Sequence, residues 1–174
     1  EKEVIYENDW IRLEHHEVLN PSRKPGIYGK VHFKNVAIGI IPVDEEGYSW
    51  MVGQYRYPLD QYSWEIPEGG GKIGVSTLES AKRELLEETG ILAKRWQPIQ
   101  EIHTSNSVSD EYGVIFLAQG LEFQEAQPEE AEELEVRKIH LKELFTMVLD
   151  GEITDSLSVA GLFKLKEILP QHFR

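Results

Sequence analysis

The most restrictive feature of the chain is a run of three glycines, Gly69, Gly70 and Gly71, that leads within a few residues into a strongly marked helix. Consecutive glycines permit tight, positive-φ backbone and let main-chain atoms come close to a ligand. Ser76 followed three residues later by Glu79 is a capping-box pattern. Ala81 and Leu85 recur on one face, and Gly90 stands where a left-handed C′ residue closes a helix. The spacing therefore predicts a helix over residues 76–90. On it Glu84, Glu87 and Glu88 stand at i, i+3 and i+4, so their carboxylates crowd one face. Like charges so placed repel by a few tenths of a kcal/mol, roughly, per pair. A hard divalent cation would offset that, because Mg²⁺ binds through a few carboxylates, waters and substrate phosphates. Taken alone, such a cluster is as well explained by a solvated face beside Lys82 and Arg83. The glycine run shifts the balance, since an exposed helix face has no use for it.

Charge points the same way. Lys and Arg number 18 against 31 Asp and Glu, a net charge of −13 that speaks against a polyanion as direct partner. No basic stripe of the kind nucleic-acid binders carry is present. An acidic protein that handles phosphates needs cations as intermediaries. Cysteine is absent, which excludes disulfides, thiolate zinc sites and cysteine nucleophiles. The longest apolar stretch, residues 36–43, already contains Gly39 and Pro42, far short of the ~20 residues a spanning helix needs. Glu1-Lys2-Glu3-Val4 shows no basic region followed by an apolar one, so the expected location is cytoplasmic, with no membrane partner.

With 174 residues, no internal repeat and no long linker, a single domain over 1–174 is expected. Residues 4–6 and 11–18 alternate in the manner of strands, and Pro21, Pro25 and Gly26 break the pattern. Residues 36–43 read as a strand covered on both faces. Asp44-Glu45-Glu46-Gly47 reads as a hairpin turn into a second strand, 48–55, and a short extended piece, 63–66, precedes Pro67. Further strands are expected near 99–103, 112–117 and 134–140, then helices over 141–149 and 155–169 that stop at Gly151 and Pro170. The class is mixed α/β. No histidine pair has zinc-ligand spacing, and neither a GxSxG elbow nor a P-loop occurs.

Residues 69–91 resemble the Nudix box, Gly-x5-Glu-x7-Arg-Glu-U-x-Glu-Glu-x-Gly-U, where U is a bulky aliphatic. Gly69 fits the first position, and Arg83-Glu84-Leu85-Leu86-Glu87-Glu88-Thr89-Gly90-Ile91 fits the whole second half. Val75 stands where the family has its first Glu, so Arg83 loses a partner there and turns to Glu79 or Glu87 instead. Outside the box, Gln54-Tyr55-Arg56-Tyr57-Pro58, Trp64-Glu65-Ile66-Pro67-Glu68-Gly69, Ser109-Asp110-Glu111 and Gly151-Glu152-Ile153-Thr154-Asp155 resemble the ADP-ribose pyrophosphatase branch. The resemblance implies an α/β/α sandwich around a mixed sheet. The catalytic core would span 36–174, and N-terminal strands in 1–35 would pair two copies into a homodimer.

The resemblance also implies roles. Glu84 and Glu88 would ligate Mg²⁺, or Mn²⁺ in its place, with Glu87 ligating or bridging a second ion and the backbone carbonyl of Glu68 completing the sphere. The general base would come from an acidic loop before a late strand: Glu132 first, with Glu130 and Glu133 as alternates. Arg56 would contact a phosphate or the terminal sugar, because a planar guanidinium binds phosphate in a bidentate manner. Glu65 would assist the sugar or the metal shell, and Arg83 and Glu111 would lie at the substrate. Trp64, or Tyr62, would stack on a base or lie at a subunit interface. The implied reaction is hydrolysis of a nucleoside diphosphate sugar (ADP-ribose, ADP-glucose, UDP-glucose or GDP-mannose) to a nucleoside monophosphate and a sugar phosphate. Cleavage of a nucleoside triphosphate or a capped RNA end is a second reading, and a non-hydrolysing nucleotide-sugar sensor, suggested by Val75, a third.

Overall fold

Strand alternation sets the architecture. The computed structural model describes residues 1–125 and 134–173. Strands β1 (Lys2–Glu7), β2 (Ile11–Leu19) and β3 (Pro25–Phe33) form a three-stranded antiparallel sheet at the N-terminus. Strand β3 lies where the sequence reads as broken. Pro25 occupies its first position, the one place in a strand where a missing N–H costs nothing. The turn before it is closed by Asn20, whose N–H donates to the Lys24 carbonyl at 2.9 Å and whose side-chain oxygen accepts the Lys24 N–H at 3.0 Å.

The larger sheet is seven-stranded and mixed. Strands β4 (Asn35–Val43), β5 (Tyr48–Arg56), β6 (Gln61–Glu65), β7 (Glu68–Lys72), β8 (Ile91–His103), β9 (Tyr112–Phe123) and β10 (Glu135–His140) run in the order β10-β5-β4-β9-β8, with β6 paired to β5 and β7 to β4. Only the β4–β9 pair is parallel among the described strands. The Asp44 turn forms as expected, Asp44 Oδ1 accepting the N–H groups of Glu46 (3.0 Å) and Tyr48 (2.9 Å). Strand β8 begins directly after Gly90, well before the expected residue 99. Pro98, which cannot donate to the ladder, sits at a register shift that lets the long strand bend and continue.

Helices cover both faces, which is why β4 and β9 read as continuous apolar runs. On one side Ile38, Ile40, Val114, Phe116 and Ala118 pack with Ala81 and Leu85 of α1 (Thr77–Thr89). The alternate residues Ile41, Val43, Ile115 and Leu117 face Leu141 and Leu144 of α2 (Leu141–Leu149) and Leu157, Leu162 and Leu165 of α3 (Ser156–Ile168). The three-layer α/β arrangement expected from the sequence is thus present. Ala81 and Leu85 are fully buried, so truncating Leu85 to Ala costs about 2–5 kcal/mol. Helix α1 closes at Gly90, φ +70°, as expected. Its start differs: Ser76 makes no side-chain cap, and Glu79 pairs with Lys82 at 2.7 Å rather than reaching back, so no capping box forms. Helix α3 does have a side-chain cap, Asp155 accepting the Ser158 N–H at 2.7 Å.

Candidate active site

The glycine run is strand, not loop. Residues 69–71 belong to β7, paired with Ile38, Ala37 and Val36 of β4, and positive φ falls after the run, at Gly74 and Gly90, rather than within it. The expectation of positive-φ backbone is therefore corrected; what comes close to the run is a set of side chains of the protein itself. A Cβ on Gly69 would lie 2.2–2.4 Å from the Glu84 carboxyl atoms. One on Gly70 would sit 3.3 Å from Asn35 Nδ2, and one on Gly71 3.1 Å from Ile38 Cγ1. The middle of strand β7 is bare because α1 lies against it, and at Gly69 the Glu84 carboxylate occupies the space a side chain would take.

The α1 carboxylates divide. Glu84 and Glu88 are buried, at 8% and 4% exposure, whereas Glu87 is half-buried. Glu88 Oε2 accepts the backbone N–H of Glu68 at 3.1 Å, which fastens α1 to the start of β7. Arg83 spans the helix face, donating from Nη2 to Glu84 and from Nη1 to Glu87, with Nη2 also 3.3 Å from the Gly70 carbonyl. Of its two expected partners Glu87 is the one engaged. Burial works against its charge, but Glu84 and Glu87 raise its pKa above the ordinary value. Val75, half-exposed, offers this guanidinium nothing.

A second cluster stands beside it. Arg56, at the end of β5, donates in a bidentate manner to Glu65 and through Nη2 to Glu68 Oε1 at 2.7 Å. The Glu65 hydrogen bond holds the Arg56 pKa above its ordinary value. Glu68 Oε2 is buried without a hydrogen-bond partner among the described residues. Burial, and then the charges of Asp155 and Glu65, push the Glu68 carboxyl well above the usual range. One guanidinium thus faces the charges of Glu65, Glu68 and Asp155, with Glu88 close to Glu68. No three acidic or histidine side chains among the described residues form a ready-made cation site. The donors are nonetheless hard oxygens in excess of the cations that balance them, with one orphaned, and they fit a divalent ion such as Mg²⁺.

Two adjoining hollows of about 640 and 480 Å³ share Trp10, Asn35, Gly69 and Gly70 and form one cleft. Val75, Arg83, Glu84 and Glu87 line one part; Arg56, Glu68, Glu111 and Asp155 line the other. Glu111 is held by the Thr104 hydroxyl, which donates to its Oε2. Glu65 lies beneath the cleft at 3% exposure, turned to Arg56. Trp64 is not among the lining residues: it packs against the core, with Arg137 stacked 4.2 Å from its ring and Tyr62 edge-on at 5.6 Å. Glu130, Glu132 and Glu133 lie outside the described residues. Sequence reasoning missed Trp10 and Asn35. Trp10 is 65% exposed at the cleft mouth, held by Asn8 Oδ1, which accepts its N–H at 2.9 Å. A turn tryptophan carries no periodic signal that would mark it.

The chain is similar to known proteins. The sequence model of the NUDIX domain matches residues 33–157. An ADP-ribose pyrophosphatase of Bacillus subtilis is 35% identical over 76% of this chain and 74% of its own length. An ADP-ribose pyrophosphatase of Mycobacterium tuberculosis is 34% identical over 76% of this chain, which spans 65% of that protein's length. The crystal structure of an ADP compounds hydrolase superposes with a TM-score of 0.87 at 20% identity, covering 98% of this chain and 92% of that one, a likeness of fold.

Proposed function

The chain belongs to the Nudix family, and on that premise we propose that it hydrolyses the pyrophosphate linkage of nucleoside diphosphate sugars, ADP-ribose first among them, with Mg²⁺ or in its place Mn²⁺. The observation that carries the reading is the surplus of carboxylate: Glu68, Glu84, Glu87, Glu111 and Asp155 line the cleft and Glu65 and Glu88 lie buried beside it, against Arg56, Lys72 and Arg83. A pyrophosphate enters such a cleft only with cations between.

Glu84, Glu87, Glu88 and the backbone carbonyl of Glu68 would hold the cation. The chemistry it supplies when bound is neutralisation of the non-bridging phosphate oxygens and acidification of water. Water oxygen then bonds to phosphorus as the bridging P–O bond breaks, giving a nucleoside monophosphate and a sugar phosphate. The base that takes the water's proton is sought among Glu132, Glu130 and Glu133, with Glu87 as a further candidate. Arg56 orients Glu65 and Glu68, and Arg83 holds Glu84 and Glu87 in place. The exposed face of Trp10 suits a nucleobase, and Glu111 suits sugar hydroxyls.

Residues 1–174 form one domain in this reading, working in the cytoplasm as a homodimer. Exposed Val4, Ile5 and Ile27 on the N-terminal sheet support pairing of two copies there. No described helix is long and apolar enough to cross a membrane.

The test is phosphate release, through a coupled phosphatase, from ADP-ribose, ADP-glucose, UDP-glucose, GDP-mannose and one triphosphate, with an EDTA control. Turnover of the diphosphate sugars, abolished by EDTA, is the expected result. Turnover of the triphosphate alone overturns the substrate assignment. Tight binding without turnover would make the protein a sensor.

A further inference from the structure

The loop between β8 and β9, residues 104–111, is docked on the N-terminal sheet. The Val31 N–H donates to the Val108 carbonyl at 2.8 Å and the Asp110 N–H to the Val31 carbonyl at 3.1 Å. The Tyr28 hydroxyl donates to the Ser107 carbonyl. Asp110 is the centre of the contact. Its Oδ1 accepts the Phe33 N–H at 2.9 Å, and its Oδ2 accepts from Lys30 Nζ at 2.7 Å and His32 Nδ1 at 2.6 Å. Lys30 and His32 alternate along β3 and so project from one face. A single carboxylate thereby gathers three donors from the end of one strand.

That strand end and that loop are two walls of the cleft. Beyond Phe33, the Lys34 N–H donates to the Trp10 carbonyl at 2.9 Å, and Trp10, Phe33 and Asn35 line one wall. The loop begins at Thr104 and ends at Glu111, and both line the same hollow as Trp10 and Phe33. We propose that Asp110 is a positioning residue: it locks the Thr104–Glu111 wall to the Trp10–Phe33 wall and so fixes the width of the cleft for substrate, which it does not touch. The proposal rests on the reading that this cleft takes a nucleotide sugar.

The chemistry requires an aspartate. Asparagine keeps one acceptor oxygen but turns an NH₂ group towards donors, losing the charge-assisted bonds. With its side chain at 32% exposure, part of the Asp110 contribution to global stability is screened; what it chiefly sets is geometry. Walls that grip substrate and transition state alike act on KM and not on kcat. The expectation for Asp110→Asn is a rise in KM of about tenfold, equivalent to about 1.4 kcal/mol, with kcat within about twofold of wild type. Lys30→Met should give a smaller rise in KM.

Hydrogen exchange on the substrate-free variants decides the clamp independently. In Asp110→Asn the amides of Val31 and Asp110 should exchange faster, with α1 and β4 unchanged. Unchanged exchange at Val31 and Asp110 overturns the clamp, and it still does so if wild type hydrolyses no nucleotide sugar and the functional reading falls. Released amides with a wild-type KM overturn the positioning role. So does a fall in kcat at constant KM with a lowered Tm, the signature of a merely structural contact.

Discussion

Alanine placed singly at Gly69, Gly70 and Gly71 should separate what the glycine strand does for the site from what it does for the core. At Gly69 the new methyl would lie 2.2–2.4 Å from the Glu84 carboxyl. Ordinary contact is about 3.5 Å, so the carboxylate must retreat by roughly 1.2 Å. The helix cannot make that room, because Ala81 and Leu85 beneath it are fully buried; the Glu84 side chain must rotate instead. Overpacking of this kind costs about 1–3 kcal/mol. Losing glycine's freedom in the unfolded chain returns about 0.4–1 kcal/mol, since no positive φ is needed here. The net is a destabilisation of about 1–2 kcal/mol, with turnover down about 100-fold, as expected when a catalytic group moves by ~1 Å. At Gly71, which is buried and does not itself line the cleft, the methyl meets Ile38 and Ser80 at 3.1–3.3 Å. Stability should fall by about 1 kcal/mol and turnover should hold. At Gly70 the neighbour is the Asn35 amide at 3.3 Å, at the cleft surface, where it can yield, so both should stay near wild type. Urea unfolding followed by tryptophan fluorescence, with turnover measured on the same preparations, reads both quantities. Gly69→Ala with wild-type stability and turnover would refute the packing of Glu84 against β7.

Three further perturbations follow from the charges. Burial and the Asp155 and Glu65 charges raise the Glu68 pKa, so the native state binds more protons than the unfolded one above the ordinary carboxylate value, and stability falls as pH rises towards the folded pKa. In EDTA, Glu68→Gln should remove that slope and be more stable than wild type at pH 8 in chemical denaturation. Asp110 is the opposite case: burial opposes its charge, but Lys30, His32 and the Phe33 N–H hold its carboxyl well below 3.8. Its contribution is present above that value and is lost as pH falls towards the folded pKa, so Asp110→Asn should flatten the acid limb of a Tm-against-pH curve. Arg56→Gln leaves buried Glu65 and Glu68 without their cation and should lower the unfolding free energy in EDTA by about 3 kcal/mol; a loss under about 1 kcal/mol would contradict the pairing.

What the sequence made legible was periodic. The two-sided apolar run of β4, helix α1 with its Gly90 stop, and the helix that begins near Asp155 follow from local chemistry, and the structure has each of them. What stayed hidden depends on partners distant in the chain. Three glycines read as a loop because nothing local says that a strand needs bare backbone; the reason is Glu84, brought back by a helix. Ser76 and Glu79 have the spacing of a capping box, but Lys82 competes for Glu79 and wins. Pro25 reads as a break because a sequence does not say which residue of a strand comes first. Asn35 reaches the cleft because β4 pairs with β7, and Trp10 because the Lys34 N–H holds its carbonyl beside the start of β4; Trp64 reads as a stacking platform because its Arg137 partner comes from a strand more than seventy residues on.

The most direct test of the account is the amount of Mn²⁺ taken up by the substrate-free protein, followed by the electron paramagnetic resonance of the free ion, for wild type and Glu88→Gln. The amide oxygen of glutamine can still accept the Glu68 N–H, so the fold should survive while a charged ligand is lost. Wild type should bind the ion and Glu88→Gln should bind it at least tenfold more weakly; equal uptake by the two proteins would contradict the assignment of the α1 carboxylates as the cation site.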